Sequence, residues 1–465
     1  GYIYYSSETK VFRQKLTPGK LVPDSPIELV LADDHPHGRH EHIAKPITFD
    51  DKGYMYVPFG ANSNNCQVSN RTPGSPGIDP CPQLEDHGGI WKFKADKLNQ
   101  TQKDGTKYAT GLRSVVALDW NQDDRTLYAL QHGRDDFLRL WANLYSAWQS
   151  AVFPSEEFLR VKEGSDAGWR FYCYDQIQGK KLLNPEYGGD GKKEGKGAEF
   201  EQPLIGFPAH WAPNDLLFYT GKQFPDRYRN GAFIAFHGST NRAPYPQAGY
   251  FICFVPFKNG APSGPWEVFA DGFAKVDPIV NVRDAVYRPM GIAKGPDGSL
   301  YISDTEKGKI WRIMFKGDKK SFGAAQLSKM EKRKELSHIR TPHEVKDNLD
   351  RGDLVAGAKI YNLYCGTCHQ KDGKGDGNRF PPLDAPEWIN DKDKLIKTVL
   401  NGLEGPIEVQ GKPYNSLMPQ HSFLKDEEIA EVLSYVRRNF GNRQGAITRQ
   451  EVSAIRKSLE KMTGK

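Results

Sequence analysis

Apolar and polar positions alternate in short runs through the first two-thirds of the chain, broken repeatedly by Asp, Asn and Gly. Phe49-Asp50-Asp51-Lys52-Gly53-Tyr54-Met55-Tyr56-Val57 sets the pattern of strand end, tight turn and second strand. It returns as Trp120-Asn121-Gln122-Asp123-Asp124-Arg125-Thr126-Leu127-Tyr128-Ala129-Leu130. The cleanest copy is Gly295-Pro296-Asp297-Gly298-Ser299-Leu300-Tyr301-Ile302-Ser303-Asp304. A two-residue period broken by Asp/Gly turns predicts hairpins. A companion strand recurs as Gly89-Ile90-Trp91-Lys92-Phe93 and Lys309-Ile310-Trp311-Arg312-Ile313, with a weaker copy at Thr9-Lys10-Val11-Phe12. Repeated units of about four strands with long loops between them predict an all-β propeller, whose radial repetition protects strand edges. An ordinary β-sandwich with coincidental turns is the alternative.

The pattern changes after residue 316. Gly317 to Asp350 is dense in Lys and Glu and reads as a charged linker, with an exposed helix over Ala324–Leu336. Residues 351–442 take a helical period. Leu354, Ala358, Ile360 and Tyr361 share one face, and Ile429, Val432, Leu433 and Val436 share another in a helix over Asp426–Asn439. Residues 443–465 read as a short charged helical tail. The predicted domains are therefore a propeller over 1–316, the linker, a small all-α domain over 351–442, and the tail.

Composition narrows the class. In 465 residues, 12% aromatic with 46 Gly and 31 Pro, many short strands and turns are expected. The net charge of +6 is mild and argues only weakly for an acidic partner. No basic stripe with interleaved aromatics points to nucleic acid. No run of about 18 apolar residues offers a membrane span. Of six cysteines, Cys66 and Cys81 bracket a Pro/Gly-rich loop and are expected to pair, while Cys173 and Cys253 are left open between pairing and separate burial.

The sharpest motif is Cys365-Gly366-Thr367-Cys368-His369. Two thiols spaced by two residues can add to the vinyl groups of haem, and the adjacent His is placed to ligate the iron. Zinc or a thioredoxin-like redox pair would also use Cys-x-x-Cys. This domain has no second Cys/His pair for zinc, however, and Gly373, Gly375 and Gly377 before Phe380-Pro381-Pro382-Leu383 give a loop that can wrap a haem edge. Met418-Pro419, just before the last helix, supplies a thioether as sixth ligand, with His421 as competitor. The domain looks like a class I bacterial cytochrome c, a type whose haem is attached outside the cytoplasm. A periplasmic or otherwise exported protein is expected.

Other polar clusters fall where propeller loops would line a central funnel. They are the His-rich Asp33–His42 segment, Arg113, His132-Gly133-Arg134-Asp135, His210, His237-Gly238-Ser239-Thr240-Asn241-Arg242 and Arg288. Arginines at equivalent places in successive repeats suggest cations facing a polyanion. No Gly-x-Gly-x-x-Gly opens a βαβ unit, so a nicotinamide or flavin site is not expected.

With Asn64-Asn65-Cys66-Gln67, Asp79-Pro80-Cys81-Pro82, His132-Gly133-Arg134-Asp135, Gly168-Trp169, Tyr172-Cys173-Tyr174, Pro185-Glu186-Tyr187-Gly188-Gly189-Asp190-Gly191 and His237-Gly238-Ser239, the first 316 residues resemble the glucose/sorbosone dehydrogenase family. The sorbosone dehydrogenase-like branch is nearest. These quinoproteins use pyrroloquinoline quinone (PQQ). The resemblance implies six blades, although the residues themselves give evidence for about five. It implies that His42 takes the substrate hydroxyl proton, that Arg113 and, less closely, Arg242 and Arg288 bind PQQ, and that the carbonyls of Gly133 and Arg134 hold calcium. Ser114 and Thr240 stand where relatives often have Asn and Trp, and Lys45 where they often have Arg. Relatives also carry further propeller sequence before the point matching Gly1.

The resulting expectation is a PQQ-dependent dehydrogenase for a sugar or sugar-derived aldehyde or alcohol. Electrons would pass within the chain to haem c and then to an external acceptor such as a cytochrome or respiratory-chain component. The rival readings are a carbohydrate- or protein-binding propeller fused to an electron-relay cytochrome, and a calcium-dependent lactonase.

Overall fold

The alternating runs do form hairpins, and the hairpins assemble into five antiparallel sheets. The computed structural model describes residues 1–35, 41–344 and 352–463, so Pro36–His40, including two of the four clustered histidines, and 345–350 of the expected linker lie outside the described residues. Two compact units result, Gly1–Asn348 and Leu349–Lys465.

In the first unit, β1 (Tyr2–Ser6), β2 (Lys10–Lys15) and β3 (Glu28–Ala32) form one blade, with β7 (Gln100–Thr101) parallel to β3. The second blade is β4 (Thr48–Phe49), β5 (Tyr54–Phe59), β6 (Gly89–Lys94) and β8 (Thr106–Thr110), extended by β12 (Ser165–Asp166). The third is β9 (Val115–Asn121), β10 (Thr126–Gln131), β11 (Glu156–Val161) and β15 (Ile205–Phe207). The fourth is β16 (Pro213–Phe218), β17 (Ala232–Phe236), β18 (Phe251–Val255) and β21 (Glu267–Ala270). The fifth is β22 (Pro289–Lys294), β23 (Leu300–Asp304) and β24 (Ile310–Ile313). Two short hairpins, β13 (Tyr172–Asp175) with β14 (Lys180–Leu183) and β19 (Phe257–Lys258) with β20 (Ala261–Pro262), decorate the loops. The described residues thus hold five blades, not the six implied by the family. All three Asp/Gly turns predicted from the pattern join the first two strands of a blade.

Strands β4, β9, β16 and β22 lie side by side on the inside of the ring. Their backbones are tied by half-buried carboxylates. Asp119 accepts from Phe218 N at 2.8 Å and from Thr48 Oγ1 at 3.3 Å, spanning three blades. Asp215 accepts from Ile292 N at 2.6 Å and from Leu216 N at 2.8 Å. Burial pushes Asp119 up to about 6 and Asp215 up to about 7, because the backbone donors only partly replace lost water. Aromatic and aliphatic residues fill the spaces between sheets, with Tyr128, Phe158, Trp211 and Phe236 completely inside.

The stretch expected to be a free linker is in part a covering of the propeller. Helix α3 (Ala324–Glu331) is exposed as predicted. Beyond it, Ile339 enters the main core, Lys334 sits 4.2 Å over Trp266 and Arg333 pairs with Asp271. Apolar residues spaced among the lysines made this packing possible and the charge density hid it. Short helices α1 (Phe137–Leu140) and α2 (Ala147–Val152) lie between β10 and β11.

The second unit is helical. It contains α4 (Gly352–Ile360), α5 (Gly366–His369), α6 (Pro386–Ile389), α7 (Lys392–Asn401), α8 (Asp426–Arg438) and α9 (Arg449–Thr463), plus the hairpin β25 (Ile407–Val409) with β26 (Lys412–Tyr414). Helices α4 and α8 cross closely because Gly357 has no side chain there. A Cβ would come within 2.1 Å of the Glu431 carbonyl. The terminal segment is no loose tail: Ile447, Val452 and Ile455 join the core with Ile429, Val432 and Leu433. Their apolar period is carried between charges, so composition alone read it as solvent-exposed.

Candidate functional sites

The propeller's polar residues converge on a cavity of about 340 Å³, within the range of small-molecule sites. Its wall includes Glu41, His42, Arg71, Arg113, His132, Gly133, Asp135, Glu156, His210 and Asn241. His42 sits on the loop between β3 and β4. Two contacts fix that loop: Lys45 pairs with buried Asp33 at 2.6 Å, and Gly60 packs beneath His42, where a Cβ would meet the His42 carbonyl at 2.4 Å. His42 Nδ1 donates to the Ala61 carbonyl at 2.7 Å, leaving the Nε2 lone pair as the acceptor. Burial, reinforced by the Arg113 charge, holds this imidazole well below its usual pKa and hence neutral.

Arg113 is almost fully buried. It donates through Nε to Asn64 O, through Nη1 to Gly133 O at 2.8 Å, and through Nη2 to Asn64 Oδ1 and to Asp135 at 2.8 Å. Arg71, inside the disulfide loop, binds Glu41 through two nitrogens and reaches Asp135 and Asp136. Burial would raise the Asp135 carboxyl, but the charges of Arg113, His210 and Arg71 hold it far below the carboxylate range. Glu156 accepts from Gly133 N at 2.9 Å and Ala212 N at 3.2 Å, and burial pushes it up to about 8. At neutral pH the two guanidinium charges on the wall are therefore balanced by Glu41 and Asp135.

The other expected cofactor residues lie elsewhere. Arg134 is buried against Glu186 and lies 4.5 Å over Phe137. Arg242 is fully buried and donates to the carbonyls of Ala151 and Arg340, apart from the cavity wall. Arg288 braces the neighbouring loop, donating to the carbonyls of His237 and Gly238 and to His237 Nδ1. The Gly133 carbonyl expected for calcium accepts from Arg113, and among the described residues no group of three or more His, Cys, Asp or Glu could hold a metal. The described residues thus bring no side-chain cage to calcium. Glu41 and Asp135 lie in segments expected to line the funnel, whereas Arg71 and Glu156 carry no motif that gave them a role beforehand. The expected pairing of Cys66 with Cys81, which encloses Arg71, was the available signal. Cys173 and Cys253 are separate and buried.

In the helical unit, Cys365, His369, Met418 and His421 border a crevice otherwise walled by apolar side chains such as Leu383, Val399, Leu403 and Leu433. Helix α4 widens into a turn over Tyr361–Cys365 and continues as α5, which carries Cys368 and His369. His369 Nδ1 donates to the Pro381 carbonyl at 3.0 Å, which leaves the Nε2 lone pair for a ligand. Met418 is fixed by reciprocal backbone bonds with Leu403, each 2.9 Å. Burial and the neighbouring Cys368 push the Cys365 thiol up to about 11, as suits a thiol facing an apolar crevice. The donor set and the apolar walls fit a covalent haem c.

The glucose/sorbosone dehydrogenase family profile matches residues 2–239, and a cytochrome c profile matches 354–439. The chain belongs to the glucose/sorbosone dehydrogenase family. A TrAA12-like profile also matches 178–316. A Trichoderma reesei protein of carbohydrate-active enzyme family AA12 shares the fold, with a TM-score of 0.51 at 19% identity over 67% of this chain and 77% of that one. Cytochrome c-552 of Thermus thermophilus is 39% identical over 110 residues, 22% of this chain and 83% of its own. The cytochrome c subunit of the quinone alcohol dehydrogenase of Gluconobacter oxydans is 31% identical over 110 residues, 23% of each chain. This family member is a dehydrogenase-like propeller fused to a cytochrome c domain that carries haem c. No helix of the described residues is long and apolar enough to cross a membrane.

Proposed function

We propose that the propeller oxidises a sugar or a sugar-derived aldehyde or alcohol with PQQ, and that the electrons pass to the haem of the same chain and on to an external acceptor. The observation that carries this reading is His42: a neutral imidazole, locked by Ala61 with its Nε2 lone pair available, on the wall of a cavity that also holds Arg113 and Arg71. PQQ, when bound, supplies the carbon that accepts the substrate's hydride. His42 takes the hydroxyl proton at Nε2. Arg113 uses four of its N–H groups on Asn64, Gly133 and Asp135, and its remaining N–H, with that of Arg71, would be left to hold the cofactor carboxylates. Asn64 keeps Arg113 in place by accepting through both oxygens. Calcium supplies no step here, because the Gly133 carbonyl already accepts from Arg113.

In the second unit, His369 and Met418 ligate the haem iron, with Cys365 and Cys368 as its anchors. Tethering both units in one chain raises the effective concentration of donor and acceptor. Export to the periplasm is part of this reading, supported by the disulfide and the haem motif. The Gluconobacter oxydans relative, a haem subunit of a quinone dehydrogenase by name, supports the pairing of chemistries.

One observation favours a second reading. The cavity's guanidinium groups are charge-balanced, which suits a neutral polyol bound without a tricarboxylate. The propeller would then be a carbohydrate-binding module.

The test is haem reduction. Protein matured with haem is loaded with PQQ, with and without calcium, and mixed with a panel of aldoses and sugar aldehydes. Reduction that requires PQQ and is lost in His42→Ala supports the dehydrogenase. PQQ failing to bind while a sugar binds would overturn it in favour of the second reading.

A further inference from the structure

The lysines of the segment after residue 316 are not absorbed by either site. We infer that the propeller face opposite the cavity docks on an anionic lipid surface. Inner strands β16 and β22 both start at the cavity: Ala212, just before β16, lines it, and Arg288, just before β22, braces the loop leading to Ser239 on its wall. Both strands have six residues, so their far ends lie roughly 20 Å away.

Three segments meet at those ends. Lys294 Nζ donates to Thr220 Oγ1 at 2.6 Å, Lys319 Nζ donates to the Lys222 carbonyl at 2.5 Å, and Gln223 exchanges two hydrogen bonds with the Phe315 backbone. Together they expose Lys222, Lys294, Lys316, Lys319 and Lys320, none of which forms a salt bridge among the described residues. Asp297 is neutralised by Arg312, and Asp318 caps its own turn by accepting from Lys320 N. Exposed Met314 adds an apolar contact beside Lys316.

The chemistry of the cations selects the partner. All five are lysines: flexible, strongly hydrated point charges without the planar fork that reads a fixed carboxylate. They spread over three turns. Such an array suits many mobile phosphates in a fluid bilayer. Docking this way leaves the cavity facing away from the lipid and open to a water-soluble substrate.

The experiment uses the full chain with its haem and needs no PQQ, so its outcome is independent of the proposed oxidation. Binding is measured by co-sedimentation with phosphatidylcholine vesicles, with or without about 30 mol% phosphatidylglycerol, at about 0.05 M and about 0.5 M salt. Binding is expected only to the anionic vesicles and only at low salt. The Lys222→Glu, Lys319→Glu, Lys320→Glu variant should bind on the order of 100-fold more weakly, since each lysine contributes about fivefold. A variant with the same change in charge elsewhere, Lys192→Glu, Lys193→Glu, Lys196→Glu, should bind as the parent does. Equal thermal melting of all three proteins excludes misfolding. No binding to anionic vesicles at low salt, binding that survives high salt, or equal loss in the two variants would each overturn the inference.

Discussion

The two cavities of this chain are built on opposite principles. The helical unit's crevice is walled by apolar side chains, with its reactive groups delivered by one short motif and one methionine. The propeller's cavity is walled by polar and charged groups, each held by a residue from another part of the chain: His42 by Ala61, Arg113 by Asn64 and Asp135, Arg71 by Glu41. An apolar crevice depends on its occupant to fill it. A charged cavity is satisfied by its own partners before any ligand arrives, so a ligand must compete with them.

The largest effect should come from removing the crevice's anchors. In Cys365→Ser, Cys368→Ser, covalent haem should be absent and the cytochrome spectrum lost from denatured protein. The helical unit should lose its cooperative melt, because the apolar walls then face water. The propeller's melt should not move, since its core shares nothing with these thiols. A helical unit that melts unchanged without haem would show that the crevice closes by itself, and the contrast would fail.

The charged cavity is broken differently. Arg113→Ala leaves the half-buried Asp135 without one of its two guanidinium partners. Removing one partner of a buried pair costs about 3–5 kcal/mol, so urea unfolding of the propeller at pH 7 should show that loss without any ligand. Asp135 has a depressed pKa, so its contribution is complete above the ordinary Asp value of about 4 and lost as pH falls through the folded one. The variant should therefore converge on the parent in strong acid. A loss below about 1 kcal/mol at pH 7 would mean that water screens the pair.

This contrast also decides what could be read from the sequence. The haem motif is local: two thiols, a histidine and a loop with fixed chemistry lie within twenty residues, and Met418 follows from the helix after it. The Asp/Gly turns gave the hairpins for the same reason. The propeller site is not local. His42 and Arg113 came from a resemblance, whereas the roles of Arg71, signalled only by the disulfide around it, and of Glu156 exist only after strands far apart have paired. Arg134, Arg242 and Arg288 show the converse. Their type and repeat position matched a cation ring, yet Arg134 and Arg242 are buried and Arg288 half-buried, with Glu186 and backbone carbonyls as partners. The packed segments around Ile339 and Val452 depended on tertiary contacts that charge-rich composition masks, whereas the repeats themselves pointed to about five blades.

A subtler break lies at Gly60. Gly60→Ala would push the His42 backbone outward, because the added Cβ would sit 2.4 Å from its carbonyl oxygen. If the proposed oxidation is right, substrate-driven haem reduction should fall by about 100-fold through misplacement of the base. The haem spectrum should be untouched and PQQ affinity should change little, since Arg113 rests on Asn64. Loss of affinity equal to loss of rate would place Gly60 in cofactor binding instead.

The smallest effect tests whether charge burial continues below the cavity, where Asp119 and Asp215 tie the inner strands. Asp215 is pushed up to about 7 in the folded protein, against about 4 unfolded. A raised folded pKa means that the folded state holds the proton more tightly. The stabilising contribution is complete below pH 4 and is lost as pH rises through 7. Asp119, at about 6, acts in the same direction over a narrower window. Propeller melting temperature, followed by tryptophan fluorescence between pH 4 and pH 8, should therefore carry a falling component. Asp215→Asn should remove part of that slope while lowering stability at pH 4, where the amide replaces one of two acceptors facing Ile292 N and Leu216 N. Asp135 does not confuse the measurement, because its own titration lies below this window. A parent and a variant with the same slope would mean that Asp215 is already ionised and hydrated within the ring, which would confine buried charge to the cavity itself.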